Sequence, residues 1–149
     1  MTSSTAAAKP TGINHLRLTV TDIARSKAFY VQVLGMDPVI DFSHQADEPG
    51  IREDRDRFYG GCVFSFGEQV LGLRPVAQPG DTFDSTRVGL DHVSLSVASV
   101  DALNAAAKSL DDAGVTHGTV DVLEGAGIAI LSIQDPDDIN LELVAPVSE

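Results

Sequence analysis

The chain has no tryptophan, a single cysteine and no apolar run approaching the ~20 residues of a membrane span, and each absence removes a class of protein. With Cys62 alone, an intramolecular disulfide framework is impossible, and a reducing compartment such as the cytosol is the expectation. The opening residues are Ser, Thr and Ala, then Lys9 and Pro10. They lack the apolar centre of a secretory signal and read as a loose tail over residues 1–12. Basic residues are scarce: ten Lys and Arg stand against 22 Asp and Glu, a net charge of -12. Such a surface repels phosphate backbones and anionic lipid, so neither nucleic acid nor a membrane is expected as partner. Arg52, Arg55 and Arg57 are the one basic cluster. They alternate with Glu53, Asp54 and Asp56, the pattern of a solvated loop.

What remains is a chain of 149 residues, one domain by length, able to bury roughly two thirds of its unfolded surface. Its dominant feature is an internal repeat. Ile13 to Val20 (INHLRLTV) matches Leu90 to Val97 (LDHVSLSV) position by position, with a histidine third and strict alternation after it. That period of two predicts a half-buried strand in each copy. Thr21 or Asp22 can cap a helix over 24–34 and Ser99 one over 101–113, with Gly35 and Gly114 as the stops. Strands follow in both copies: 38–42, 59–66 and 69–74 in the first, 118–122, 128–134 and 139–145 in the second. An Asp135-Pro136-Asp137-Asp138 turn precedes the last of them. The predicted fold is α+β, two tandem βαβββ modules at 13–76 and 90–146 joined by a linker at 77–89. A long loop over 44–57 occurs in the first copy only.

Alternation also sorts the side chains. His15, Arg17 and Thr19 leave one side of the first strand while Leu16, Leu18 and Val20 leave the other. His92, Ser94 and Ser96 do the same in the second copy, and Glu142, flanked by Leu141 and Leu143, joins the polar side of the last strand. Two imidazoles and a carboxylate suit a divalent ion such as Fe, Mn, Zn, Ni or Co with positions left open for substrate. Arg17, Arg74 and Tyr59 are secondary candidates for substrate contact, although pairing with acidic neighbours is expected for the arginines and plain strand packing for Tyr59. Cys62 reads as inert core, and His44 and His117 as surface or strand-end residues.

These segments, with Ser26-Lys27-Ala28-Phe29-Tyr30, Val33-Leu34-Gly35 and the run Asp135 to Leu143, make the chain similar to the vicinal oxygen chelate superfamily. That group includes glyoxalase I, extradiol dioxygenases, fosfomycin resistance proteins and bleomycin resistance proteins. The resemblance implies an open cup-shaped mixed sheet with helices outside, and metal ligands on the first and last strands of the modules. His15, His92 and Glu142 occupy three of those positions, while Gly72, the counterpart of Glu142, carries no ligand. This departs from glyoxalase I and resembles the three-ligand members. The function so implied is a metal-dependent enzyme on a small substrate chelated through adjacent oxygens. The alternative is a metal-free drug- or metabolite-binding cup of the bleomycin resistance type. A third reading is a protein whose cavity is vestigial and whose role is pairing with another chain or with itself as a homodimer, which open sheets with exposed edges make physically reasonable.

Overall fold

In the computed structural model, which describes residues 7–147, each copy of the repeat forms a four-stranded sheet with one helix. The first six residues of the expected tail lie outside the described residues. The first module contains β1 (His15–Thr19), α1 (Ile23–Leu34), β2 (Ile40–Asp41), β3 (Cys62–Phe66) and β4 (Gln69–Arg74). The second contains β5 (Val93–Ser96), α2 (Val100–Asp112), β6 (Asp121–Leu123), β7 (Ile128–Gln134) and β8 (Asn140–Pro146). Strand order is β1-β4-β3-β2 in one sheet and β5-β8-β7-β6 in the other. The first strand of each module runs parallel to its last, and the remaining pairs are antiparallel.

The helices begin and end for local reasons. The Asp22 carboxylate accepts from the Arg25 amide at 3.1 Å and the Ser99 hydroxyl from the Ala102 amide at 3.1 Å, each satisfying an N–H that a helix start leaves unpaired. Gly35, at φ 65°, supplies the left-handed residue that ends α1. Along α1 the buried residues are Ile23, Ser26 and Tyr30, a stripe at helical spacing. The apolar sides of both sheets and the inner faces of both helices merge into one core that includes Leu18, Tyr30, Phe64, Leu73, Leu103, Leu131 and Leu143.

Several strand boundaries differ from the sequence expectation, and β5 begins only at Val93, which leaves His92 just ahead of the strand it was expected to sit on. The strand expected over 59–66 starts only at Cys62, because Phe58 (φ 49°), Tyr59 (φ 59°) and Gly60 (φ 78°) are left-handed in succession, a geometry no strand accommodates. The one over 38–42 shortens to β2, and the one over 118–122 shortens and moves toward the C-terminus as β6, both at sheet edges, where short strands are common. The long loop is built of short 3-10 turns pinned by buried Ile51. In it Arg57 bonds to Asp54 and Glu48, and Arg52 donates to the Val76 carbonyl.

The modules are locked together through the turn between β7 and β8. Asp135 and Asp137 are each 4% exposed. Asp135 accepts from the Tyr30 hydroxyl of α1 at 2.8 Å and from the amides of Asp137 and Ile139. Asp137 accepts from the Thr21 amide and hydroxyl and from Arg25. Both carboxylates of a turn with the composition of a surface loop therefore hold the entry and the body of α1.

Candidate functional site

The two polar sheet faces carry opposite chemistry. In the second module Ser94 stands beside Glu142 in the parallel register, and its hydroxyl donates to Glu142 Oε1 at 2.9 Å. His92 lies at the entry to the same face, and a cavity of about 440 Å³ is lined by His92, Glu142, Ser132, Asn140 and His117. His92 Nδ1 is 2.6 Å from Asp91 Oδ1. A carboxylate can only accept, so the proton sits on Nδ1, and Nε2 is left with its lone pair and no partner among the described residues. This hydrogen bond is the main reason the His92 pKa is raised above the ordinary histidine value, with the charge of Glu142 acting in the same direction.

His15 repeats the arrangement in the first module. Its Nδ1 is 2.8 Å from Asn14 Oδ1, and Asn14 occupies the repeat position of Asp91. All three sequence candidates thus have one atom anchored and another free to act as a donor, the arrangement in which an outer hydrogen bond orients a metal ligand. The structure does not gather them in one chain. His92 and Glu142 share a cavity, whereas His15 meets His92 across a separate space of about 300 Å³ between the modules that Glu142 does not line. Among the described residues no group of three His, Cys, Asp or Glu side chains is placed to hold an ion. The donor types suit a divalent cation, and a single chain supplies an incomplete set.

The first module's face follows a different plan. Arg17 stands beside Gly72 in the register that pairs Ser94 with Glu142 in the second module. Arg74 lies with its guanidinium carbon 3.7 Å from the centre of the Tyr59 ring, and that of Arg17 is 5.9 Å from the same centre. Neither arginine has an acidic partner within ion-pair distance among the described residues. The expected acidic pairing is therefore replaced by cation–π stacking, and the expected strand packing of Tyr59 by a left-handed turn that lays its ring on Arg74.

His117, expected at the surface or at a strand end, forms an isolated bridge with Ile133, has a side chain only 13% exposed and lines the second module's cavity. Its Nε2 is 2.9 Å from Asp111, and this hydrogen bond raises its pKa above the ordinary histidine value, aided by the Gly118 carbonyl. A raised folded-state value means that the stability His117 contributes is full below the unfolded value of about 6.5 and is lost as pH rises through the folded one. An NMR titration of the His117 ring is expected to give a midpoint above the ordinary histidine value, and Asp111→Asn, which removes the main cause, to lower it. Cys62 is buried as expected, and burial pushes its thiol up to about 12, outside the range of a reactive thiolate. No described helix is long and apolar enough to cross a membrane.

Tandem βαβββ modules with polar faces and histidines at the starts of equivalent first strands narrow the choice of fold sharply. The family profile of the Glyoxalase/Bleomycin resistance protein/Dioxygenase superfamily matches residues 12–143. The chain belongs to this superfamily. Within it, the chain is 30% identical over 132 residues to the uncharacterised protein YaeR of Escherichia coli (strain K12), covering 88% of this chain and 93% of that one. A glyoxylase/bleomycin resistance protein/dioxygenase domain from Frankia sp. EAN1pec superposes with a TM-score of 0.69 at 27% identity, with 93% of each chain covered. The protein SMU.1112c shares the fold, with a TM-score of 0.68 at 23% identity over 91% of this chain and 99% of its own. Superfamily membership accounts for the duplication and for the polar concave faces. It leaves the reaction open, because one fold hosts many chemistries.

Proposed function

We propose that this superfamily member is a metal-dependent enzyme acting on a small substrate that binds through adjacent oxygens, with His15, His92 and Glu142 as ligands of a divalent ion. The observation that carries the reading is the anchoring of all three donors, by Asn14, Asp91 and Ser94 respectively. A bound ion would act as a Lewis acid toward developing negative charge on a substrate oxygen. The chain's own contribution is to fix the two imidazole tautomers and to aim the carboxylate.

Because one chain leaves Glu142 outside the space that His15 and His92 share, the reading includes a second copy. β1 and β5 are the open edges of their sheets, each hydrogen-bonded to a neighbour on one side only, and they lead directly from the two histidines. Apposing β1 of one copy with β5 of another can be done twice about a two-fold axis, giving two equivalent sites per dimer. Solvent-exposed Ile13 and Val88, close to the starts of these strands, favour such burial.

The test is metal content. Protein purified without chelators or a nickel column, and loaded anaerobically with Fe(II), Mn(II), Zn(II), Ni(II) or Co(II), is expected to sediment as a dimer with one ion per chain. His15→Ala, His92→Ala and Glu142→Ala should each abolish binding. Mixing His15→Ala with Glu142→Ala protein should restore about one site in four by random assortment, since half the dimers are mixed and each of those keeps one intact site. Failure to retain any of these ions would sink the metalloenzyme reading and leave a metal-free binding cup; full occupancy in a monomer would sink the shared site.

A further inference from the structure

We propose that the first module's face binds the carboxylate of a substrate with an apolar body, and that Arg17 is the group that recognises it. The internal repeat breaks at this point. At the position where the second module sets a serine beside a carboxylate, the first sets an arginine beside a glycine. A Cβ built at Gly72 would lie 3.4 Å from Arg17 Nε and 3.5 Å from its Cγ, so the arginine lies over the space a side chain would fill. Size and charge are exchanged together. A face that could have carried a carboxylate carries a guanidinium instead.

Three further observations bear on what that guanidinium can bind. First, the chain has more than twice as many acidic as basic residues, yet neither Arg17 nor Arg74 has an ion-pair partner among the described residues, and Arg74 Nε is buried without a hydrogen bond. A charge left unpaired in so acidic a protein is available to an anion from outside. Second, the pair is organised. Phe58 and Tyr59, both non-glycine, hold left-handed backbone that costs on the order of 1 kcal/mol or more each, and this turn brings the Tyr59 ring onto Arg74 and near Arg17. Third, Arg17 opens into a cavity of about 310 Å³ whose lining has no acidic residue and whose walls include Val39, Ile40, Phe58 and Val70. A cation on an otherwise largely apolar wall fits an amphipathic anion: the carboxylate on the guanidinium fork, the hydrocarbon against the valines and the phenyl ring.

That this carboxylate belongs to the substrate rests on the function proposed above; the binding itself requires no metal. The test therefore uses protein stripped of metal and desalted, titrated calorimetrically with mandelate and with mandelamide, its neutral isostere. Mandelate is expected to bind about tenfold or more tightly than mandelamide, the discrimination that a charge-assisted fork provides. Arg17→Gln should erase the difference. Gly72→Glu should erase it too, by placing a carboxylate of the protein's own against Arg17. The double variant Arg17→Ser/Gly72→Glu, which copies the Ser94–Glu142 pair, should fold normally by circular dichroism and show no preference. Equal affinity for the two probes, no mandelate binding, or undiminished discrimination in Arg17→Gln overturns the proposal. Metal content of the same preparations before stripping separates the two readings. Discrimination without metal rejects only the metalloenzyme, and metal without discrimination rejects only the carboxylate site.

Discussion

Asp135→Ala is expected to destabilise the protein by about 3–5 kcal/mol, read from urea or thermal unfolding. The substitution leaves the Tyr30 hydroxyl, itself 0% exposed, with no acceptor, and strips the amides of Asp137 and Ile139 of theirs. Each orphaned buried donor costs about 1–3 kcal/mol. Against a total stability of about 5–15 kcal/mol for a domain of this kind, that is a large fraction. Tyr30→Phe removes one donor and leaves both amides bonded to Asp135, so it should cost distinctly less. If the two variants proved equal, the turn's own amides would contribute nothing, and satisfying them could not be what keeps Asp135 buried.

Gly61→Ala is expected to be at least as severe, for a steric reason. A Cβ there would sit 1.9 Å from the Leu73 carbonyl oxygen and 2.9 Å from that of Phe58. Both are backbone atoms, so no rotamer relieves the overlap, and the β3–β4 pairing that sets Cys62 opposite Leu73 has to open. Overpacking a well-packed site costs about 1–3 kcal/mol when side chains can adjust, and a collision with main chain belongs above that range. Gly35→Ala is the control: nothing lies within 4 Å of the Cβ it would add, and only the left-handed backbone penalty of about 1 kcal/mol applies. Thermal unfolding of the two side by side should show Gly61→Ala far lower. A similar midpoint for both would mean the strand start is softer than its geometry implies. Since Gly61 follows directly on the turn carrying Tyr59, any residual folded Gly61→Ala protein should also have lost the stacking of Arg74.

Much of the fold was legible because it is written locally. Period-two alternation located β1 and β5, and Asp22, Ser99 and Gly35 act as the caps and stop their chemistry suggested. The two modules and their polar faces followed from the repeat alone. What escaped depends on partners distant in sequence. Asp-Pro-Asp-Asp reads as a solvated turn, and only the packing of α1 on it reveals that Asp135 and Asp137 are buried. Phe58-Tyr59 has the composition of a strand, and tertiary contacts, including the stacking of Phe42 on Phe58, accompany the left-handed turn instead. The repeat established that His15 and His92 are equivalent. Equivalence says nothing about which faces meet, and so the sequence could not show that His15 stands apart from Glu142.

The clamp between α1 and the β7–β8 turn also bears on how far each module stands on its own. Its bonds join residues 105 to 116 positions apart. All strands of the first module lie before residue 75, yet the Tyr30 hydroxyl and the Thr21 amide find their acceptors in Asp135 and Asp137 of the second. The first module therefore does not satisfy its own buried donors: its helix completes these hydrogen bonds only against its sister.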